Sequence, residues 1–154
     1  MRKFFTFNIS VFAALAVMMV MSGCSGAKIS VADEQMARGE YFEAARTYRK
    51  IYNKLKPREQ RAERAEVAAK MAECHRLLGQ DARAAAAYQN ALRYGYPDSS
   101  IVLRLAQSLH GQGSYAQAIK SYEEYLRLFP GDGVAERQLA GARKAAELKK
   151  NHTR

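Results

Sequence analysis

The sequence predicts an all-α solenoid built from helical hairpins, and three observations carry that reading. Between Ser99 and Asp132, apolar and small residues recur at Val102, Leu105, Ala106 and Leu109, and again at Tyr115, Ala118, Ile119, Tyr122, Tyr125 and Leu126. This is the i, i+3, i+4, i+7 stripe of two helices that each bury one face. The stripes are hinged at Gly111-Gln112-Gly113, where Gly113 can take the positive φ of a tight turn, and Pro130 with Gly131 stops the second helix. The third observation is repetition. Thirty-four residues earlier, Gly79, Ala84, Tyr88, Leu92 and Ala72 stand where Gly113, Ala118, Tyr122, Leu126 and Ala106 stand.

A further copy appears in GEYFEAARTYRKIY, where Gly39, Tyr41, Ala44, Ala45 and Tyr48 take the places of Gly113, Tyr115, Ala118, Ile119 and Tyr122. Gly39 precedes Gly113 by 74 residues, six more than two periods of 34, so six extra residues lie between Tyr48 and Gly79, most simply around Pro57 in Lys54–Arg64. A period of 34 with glycine at the turn, an aromatic in the second helix and proline at its end resembles the tetratricopeptide repeat. The resemblance implies hairpins that stack, each finished by the next. Ala and Gly admit close approach where a Tyr or Leu of the neighbour inserts.

In chain order, residues 1–23 read as a leader outside the fold. Arg2 and Lys3 form a basic start, and Phe4–Met21 is mostly apolar and uncharged, a borderline length for a membrane span. Met21-Ser22-Gly23-Cys24 followed by Ser25-Gly26-Ala27-Lys28 resembles the lipobox of bacterial lipoproteins, with Met21 where Leu is commoner. That resemblance implies cleavage before Cys24 and lipidation of Cys24. The competing reading is an ordinary signal peptide or a retained anchor helix with an incidental cysteine. Residues 24–28 would be a short tether.

Residues 29–132 hold the three repeats. A first helix from Ala27 to Arg38 is short and weakly patterned, as suits a terminal copy, and Tyr41–Lys56 is its partner. After the break at Pro57, a longer helix from about Glu59 to Leu78 pairs with Arg83–Tyr94. Gly95-Tyr96-Pro97-Asp98 turns the chain, with Asp98, Ser99 or Ser100 available as a cap for the third hairpin. Residues 133–150 form a seventh, capping helix, with Leu139, Ala140, Ala142, Ala146 and Leu148 among Arg137, Arg143, Lys144, Lys149 and Lys150; Leu139 and Ala140 fall one period after Leu105 and Ala106. Residues 151–154 are a tail.

Composition narrows the chemistry. Of 25 Lys+Arg, two lie in the leader, leaving 23 against 15 Asp+Glu, a net charge of +8 on 131 residues, about one domain. The positives alternate with glutamates (Arg58, Glu59, Arg61, Glu63, Arg64, Glu66), the look of a solvated, ion-paired face, so no nucleic-acid partner is expected. Attraction to acidic envelope polymers or anionic lipid headgroups is compatible with the charge. The chain has two cysteines. With Cys24 lipidated, Cys74 has no disulfide partner and reads as a packed thiol inside a helix. Neither metal spacing nor a catalytic dyad is present, and no cofactor is expected. Glu73, His75 and His110 are the only acid/base candidates, and Glu73 and His75 diverge by roughly 200° on a helix.

Together the lipobox, GEYFEAARTYRKIY, the charged second hairpin, MAECHRLLG, ALRYGYPD and GQGSYAQAIKSYEEYLRLFPGD resemble the N-terminal repeat region of a family of large envelope lipoproteins. In these, helical repeats precede a propeller-like region and a peptidoglycan-binding domain of the OmpA type, and some members serve type IX secretion and gliding. Neither later region is present, so peptidoglycan binding is not carried over, and a fragment, a truncated frame or a standalone paralogue is expected. The resemblance implies a non-catalytic, lipid-anchored adaptor of the outer membrane facing the periplasm, which binds protein partners. Outer-membrane protein assembly is the alternative within this class, and an envelope enzyme the alternative outside it. The expected groove lies on the first helices of successive hairpins, at Asp33 and Met36, then Glu66, Glu73 and Arg76, then Leu103, Gln107 and His110, then Arg137 and Lys144. Its mixed charge, with Met36 and Leu103, suits an extended peptide or polar protein surface better than a purely apolar helix.

Overall fold

The computed structural model describes residues 28–152, so the leader, Cys24, nearly all of the tether and the last two residues of the tail lie outside the described residues. Seven helices and no strand occur among the described residues: α1 (28–37), α2 (Tyr41–Lys54), α3 (Arg61–Leu77), α4 (Asp81–Arg93), α5 (Ile101–Gly111), α6 (Tyr115–Leu128) and α7 (Gly133–His152). From α2 onward each helix packs on the next in the chain, the contact order of a stack of antiparallel hairpins. None of the helices is long and apolar enough to cross a membrane.

The turn inside each hairpin follows from glycine. Gly79 and Gly113 have φ of 66° and 79°. After α5, Gly113 N donates to His110 O at 2.9 Å and Ser114 N to Leu109 O at 2.9 Å, so the last carbonyls of the helix are satisfied as the chain reverses. The same pair of bonds recurs after α3, from Gly79 to Arg76 and from Gln80 to His75.

Tyr48, Tyr88 and Tyr122 are at most 1% exposed, each beside a fully buried alanine of its own helix, Ala44, Ala84 or Ala118. One core runs from Ala32 on α1 to Ala142 on α7, with Cys74 sealed inside it. Burial pushes the Cys74 thiol up to about 11, with the Glu73 charge adding to it, which keeps it a protonated packing group.

Two expectations are refined. The six extra residues, expected around Pro57 in Lys54–Arg64, fall just after the proline and make the longer helix expected there: α3 has 17 residues where α5 has 11, and both end at the same repeat position, Leu77 and Gly111. The insertion is therefore the N-terminal stretch 61–66 of α3. The register of α7 also departs from α5. Both Leu105 and Ala106 are buried, but of their counterparts Leu139 is buried and Ala140 exposed, whereas Ala135 and Ala142 are fully covered. α5 is covered by its hairpin partner as well as by neighbouring repeats, while α7 packs chiefly on α6 and more lightly on α5, so one stripe suffices. The helix extends to His152, past the expected end at Lys150.

Asp98 accepts from Ser100 N at 2.8 Å, one of the capping options read from the turn before α5. Asp132 opens α7 by accepting from Val134 N at 2.9 Å and Ala135 N at 3.1 Å, and these bonds hold its carboxyl below the usual range.

Candidate functional site

The first helices of the hairpins face one another across a polar ladder with the period of the repeat. Its first rung joins α1 to α3, where Lys70 Nζ meets Asp33 Oδ1 at 2.9 Å. The second joins α3 to α5, with Arg104 Nε 3.1 Å from Glu73 Oε1. In the third, between α5 and α7, Gln107 Nε2 donates to Gln138 Oε1 at 3.1 Å. Asp33, Glu73 and Gln107 occupy one repeat position, and Lys70, Arg104 and Gln138 another.

Behind two of the rungs stands a tyrosine of the second helix. The Tyr48 hydroxyl donates to Asp33, and the Tyr88 hydroxyl to Glu73 Oε1 at 2.5 Å, in both cases to the carboxylate 15 residues earlier. Burial first, then the carboxylate partner, pushes both phenols well above their ordinary value. Glu66 adds a second carboxylate to Lys70 at 3.1 Å, and Arg76 a second guanidinium to Glu73 at 3.0 Å. Burial works against the Lys70 ammonium, but its bonds to Asp33 and Glu66 outweigh it and raise its pKa.

A cleft of about 310 Å³ opens over this ladder, lined by Met36, Lys70, Glu73, Tyr96 and Arg104 among others. The structure thus gathers Asp33, Met36, Glu66, Glu73, Arg76 and Gln107 along one face. Leu103 and His110 are partly withdrawn. Leu103 packs against the core, and the His110 ring lies edge-on to Tyr115 at 5.6 Å and Tyr122 at 6.3 Å, close to Gly141. Arg137 and Lys144 are exposed on α7, and no hydrogen bond or ion pair ties them to the ladder among the described residues. Lys70, Arg104 and Gln138 were missed by the sequence reading, although their 34-residue spacing is itself a signal.

The acid/base candidates are engaged elsewhere. Glu73 is held by Tyr88, Arg76 and Arg104, and His75 Nδ1 is 2.9 Å from Gln80 Oε1. Among the described residues no three His, Cys, Asp or Glu side chains are placed to hold a metal ion.

Residues 78–133 match the family described as Tetratricopeptide repeat. Solved structures agree over most of the chain. MamA superposes with a TM-score of 0.67 at 17% identity, covering 94% of this chain and 81% of that one. The fold is a tetratricopeptide-repeat solenoid. The second tetratricopeptide domain of human RPAP3, solved with the HSP70 peptide SGPTIEEVD, is similar at a TM-score of 0.62 and 17% identity over 75% of this chain and 92% of its own. The Yersinia enterocolitica type III secretion chaperone SycD, solved with a peptide of the translocator YopD, gives 0.56 and 15% over 84% and 94%. No curated protein matches the chain significantly. In this solenoid the ladder lies on the first helices of the repeats.

Proposed function

We propose that this chain is a non-catalytic adaptor that holds an extended protein segment along the ladder face of its tetratricopeptide repeats, and that it works at the cell envelope, tethered through a lipidated Cys24. The observation that carries the binding reading is the ladder itself. Its charges are paired within the protein, so the cleft offers an approaching chain a nearly neutral surface of hydrogen-bonding groups with a few apolar contacts, Met36, Ala69 and Ile101. An extended peptide, whose backbone needs donors and acceptors at regular intervals, matches such a surface. A strongly acidic ligand would have to displace Asp33 and Glu73 from their cations. The neighbours solved with bound peptides, RPAP3 and SycD, support the mode of binding. The cleft volume is at the low end of the roughly 300–1,000 Å³ typical of ligand clefts, room for one or two side chains. The envelope setting, in a secretion, gliding or peptidoglycan-linked outer-membrane complex, is supported by the lipobox-like Met21–Cys24 and the family resemblance.

The test is positional. A photo-crosslinking residue in place of Gln107, on the ladder, should trap a protein partner in cells, and the same residue in place of Glu124, exposed on α6, should not. Adducts from position 124 with none from 107 would move the binding surface to the outer face.

A further inference from the structure

A second cleft, of about 280 Å³, lies away from the ladder, between α2 and the turn that joins α3 to α4. Its lining is Phe42, Ala45, Arg46, Arg49, His75, Gln80 and Arg83. Phe42, Ala45, Arg46 and Arg49 form one stripe of α2, and Arg83 approaches from the first turn of α4. Three guanidiniums converge on this space and no carboxylate lines it. Arg46 is 3.8 Å from Glu43 in an exposed pair, and neither Arg49 nor Arg83 has a carboxylate partner among the described residues. His75 adds to the same picture: burial lowers its pKa, and Arg83 and Arg49 lower it further, so the charge of the cleft belongs to the arginines.

The fold does not require this charge. At the next interface between repeats, the positions of Arg46, Arg49, Arg83 and His75 are taken by Ala86, Gln89, Gln117 and Leu109. An uncompensated cluster of like charges costs stability through self-repulsion, and this one is built at a single joint of an otherwise periodic stack. On its rim the Phe42 ring is 59% exposed. Aromatic rings beside basic residues suit a membrane interface, where the ring enters the boundary of the acyl chains and the cations meet phosphates.

We propose that this cleft binds the phosphate of an anionic lipid headgroup, with Arg46, Arg49 and Arg83 as its ligands and Phe42 seated in the membrane surface. The site is independent of the ladder face, so either can fail alone. A lipid bound here would turn the first two repeats toward the bilayer at a fixed angle, leaving the ladder to face its partner.

The chain contains no tryptophan, so Phe42→Trp supplies a single reporter. The full chain carrying it is reconstituted into vesicles of phosphatidylcholine with increasing phosphatidylglycerol, and quenching of Trp emission by brominated acyl chains is measured. Quenching should rise with the phosphatidylglycerol fraction. It should be lost when Arg46→Gln, Arg49→Gln and Arg83→Gln are added together, and be weakened by Arg49→Gln alone, a mild change on an exposed residue. Removing three charges elsewhere, with Arg58→Gln, Lys120→Gln and Arg127→Gln, should leave it intact. Quenching independent of phosphatidylglycerol, or equally reduced in the control, would overturn the proposal. Inorganic phosphate at constant ionic strength should compete only weakly, because it makes no contact with Phe42. Complete loss of quenching at a phosphate concentration equal to that of the accessible phosphatidylglycerol would also overturn the proposal, assigning the cleft to soluble phosphate.

Discussion

The Tyr88 hydroxyl donates to Glu73 Oε1 at 2.5 Å, and the same carboxylate lies 3.1 Å from Arg104 Nε of the following repeat. One residue thus joins the two helices of its own hairpin and ties that hairpin to the next. The arrangement recurs with Tyr48, Asp33 and Lys70 and then lapses, because the residue 15 before Tyr122 is Gln107. No carboxylate raises Tyr122, whose phenol is pushed up to about 12 by burial alone.

That difference predicts unequal costs for one atom. Tyr88→Phe removes a hydrogen bond to a charged group, worth about 1.5–3 kcal/mol. Tyr122→Phe removes a hydroxyl without such a partner and should cost less than about 1 kcal/mol. Denaturant melts of the two variants compare them directly. Equal losses would mean that the ladder contributes nothing beyond the buried ring.

Alkaline stability follows from the same tyrosines. Their folded pKa values are raised above the unfolded value near 10, so the stabilisation is complete below about pH 10 and is lost as pH climbs through the folded values. The melting temperature should hold up to about pH 10 and fall steeply between about 10 and 12. Followed by phenolate absorbance, Tyr48, Tyr88 and Tyr122, three of the nine tyrosines, should ionise only as the helices unfold. Ionisation of all nine together in a folded chain would contradict the burial assigned to the three.

The six-residue insertion gives a third test. It lengthens α3 so that Arg64, 8% exposed, reaches the end of α2, where it donates to Tyr52 O at 3.0 Å and also to Leu55 O. Its guanidinium lies 4.0 Å from the Tyr52 ring centre and 4.8 Å from that of Tyr94. The negative end of α2 and two aromatic faces take the place of a carboxylate. Arg64→Ala should lower stability by about 3 kcal/mol, and Arg64→Lys by about 2 kcal/mol, since an ammonium can neither stack nor fork. Full retention with lysine would show that charge alone matters.

Much of this fold is legible in the sequence because periodicity along one chain reports the buried stripe of each helix: Tyr48, Tyr88, Tyr122 and their alanines all lie in the core. The insertion was harder to place to the residue, since a repeat count gives its size and Pro57 centred it within 54–64, while the chain spends it on residues 61–66 of α3. The ladder was half visible. Asp33, Glu73 and Gln107 could be assigned to a face, but Lys70 and Arg104 were not, because only the neighbouring repeats set them opposite Asp33 and Glu73. The arginine cleft was hidden for the same reason. Arg46 and Arg49 on α2 stand more than 30 residues before Arg83 on α4, and only packing brings the three together.

The fourth prediction concerns the tether. If Cys24 is lipidated, the chain should stay with membranes after high-salt washing, since each buried methylene contributes about 0.8 kcal/mol and two or more acyl chains give lasting attachment that salt does not screen. Cys24→Ser should abolish metabolic labelling by a fatty acid and leave the uncleaved precursor. The position of the label separates the possibilities, because the other cysteine, Cys74, is fully buried and its thiol is held protonated, which makes it a poor acyl acceptor. Labelling that persists in Cys24→Ser would remove the lipid anchor from the envelope reading and leave the retained leader as the attachment. Labelling lost, with the helical content and the crosslinks at position 107 preserved, would separate where the protein sits from what it binds.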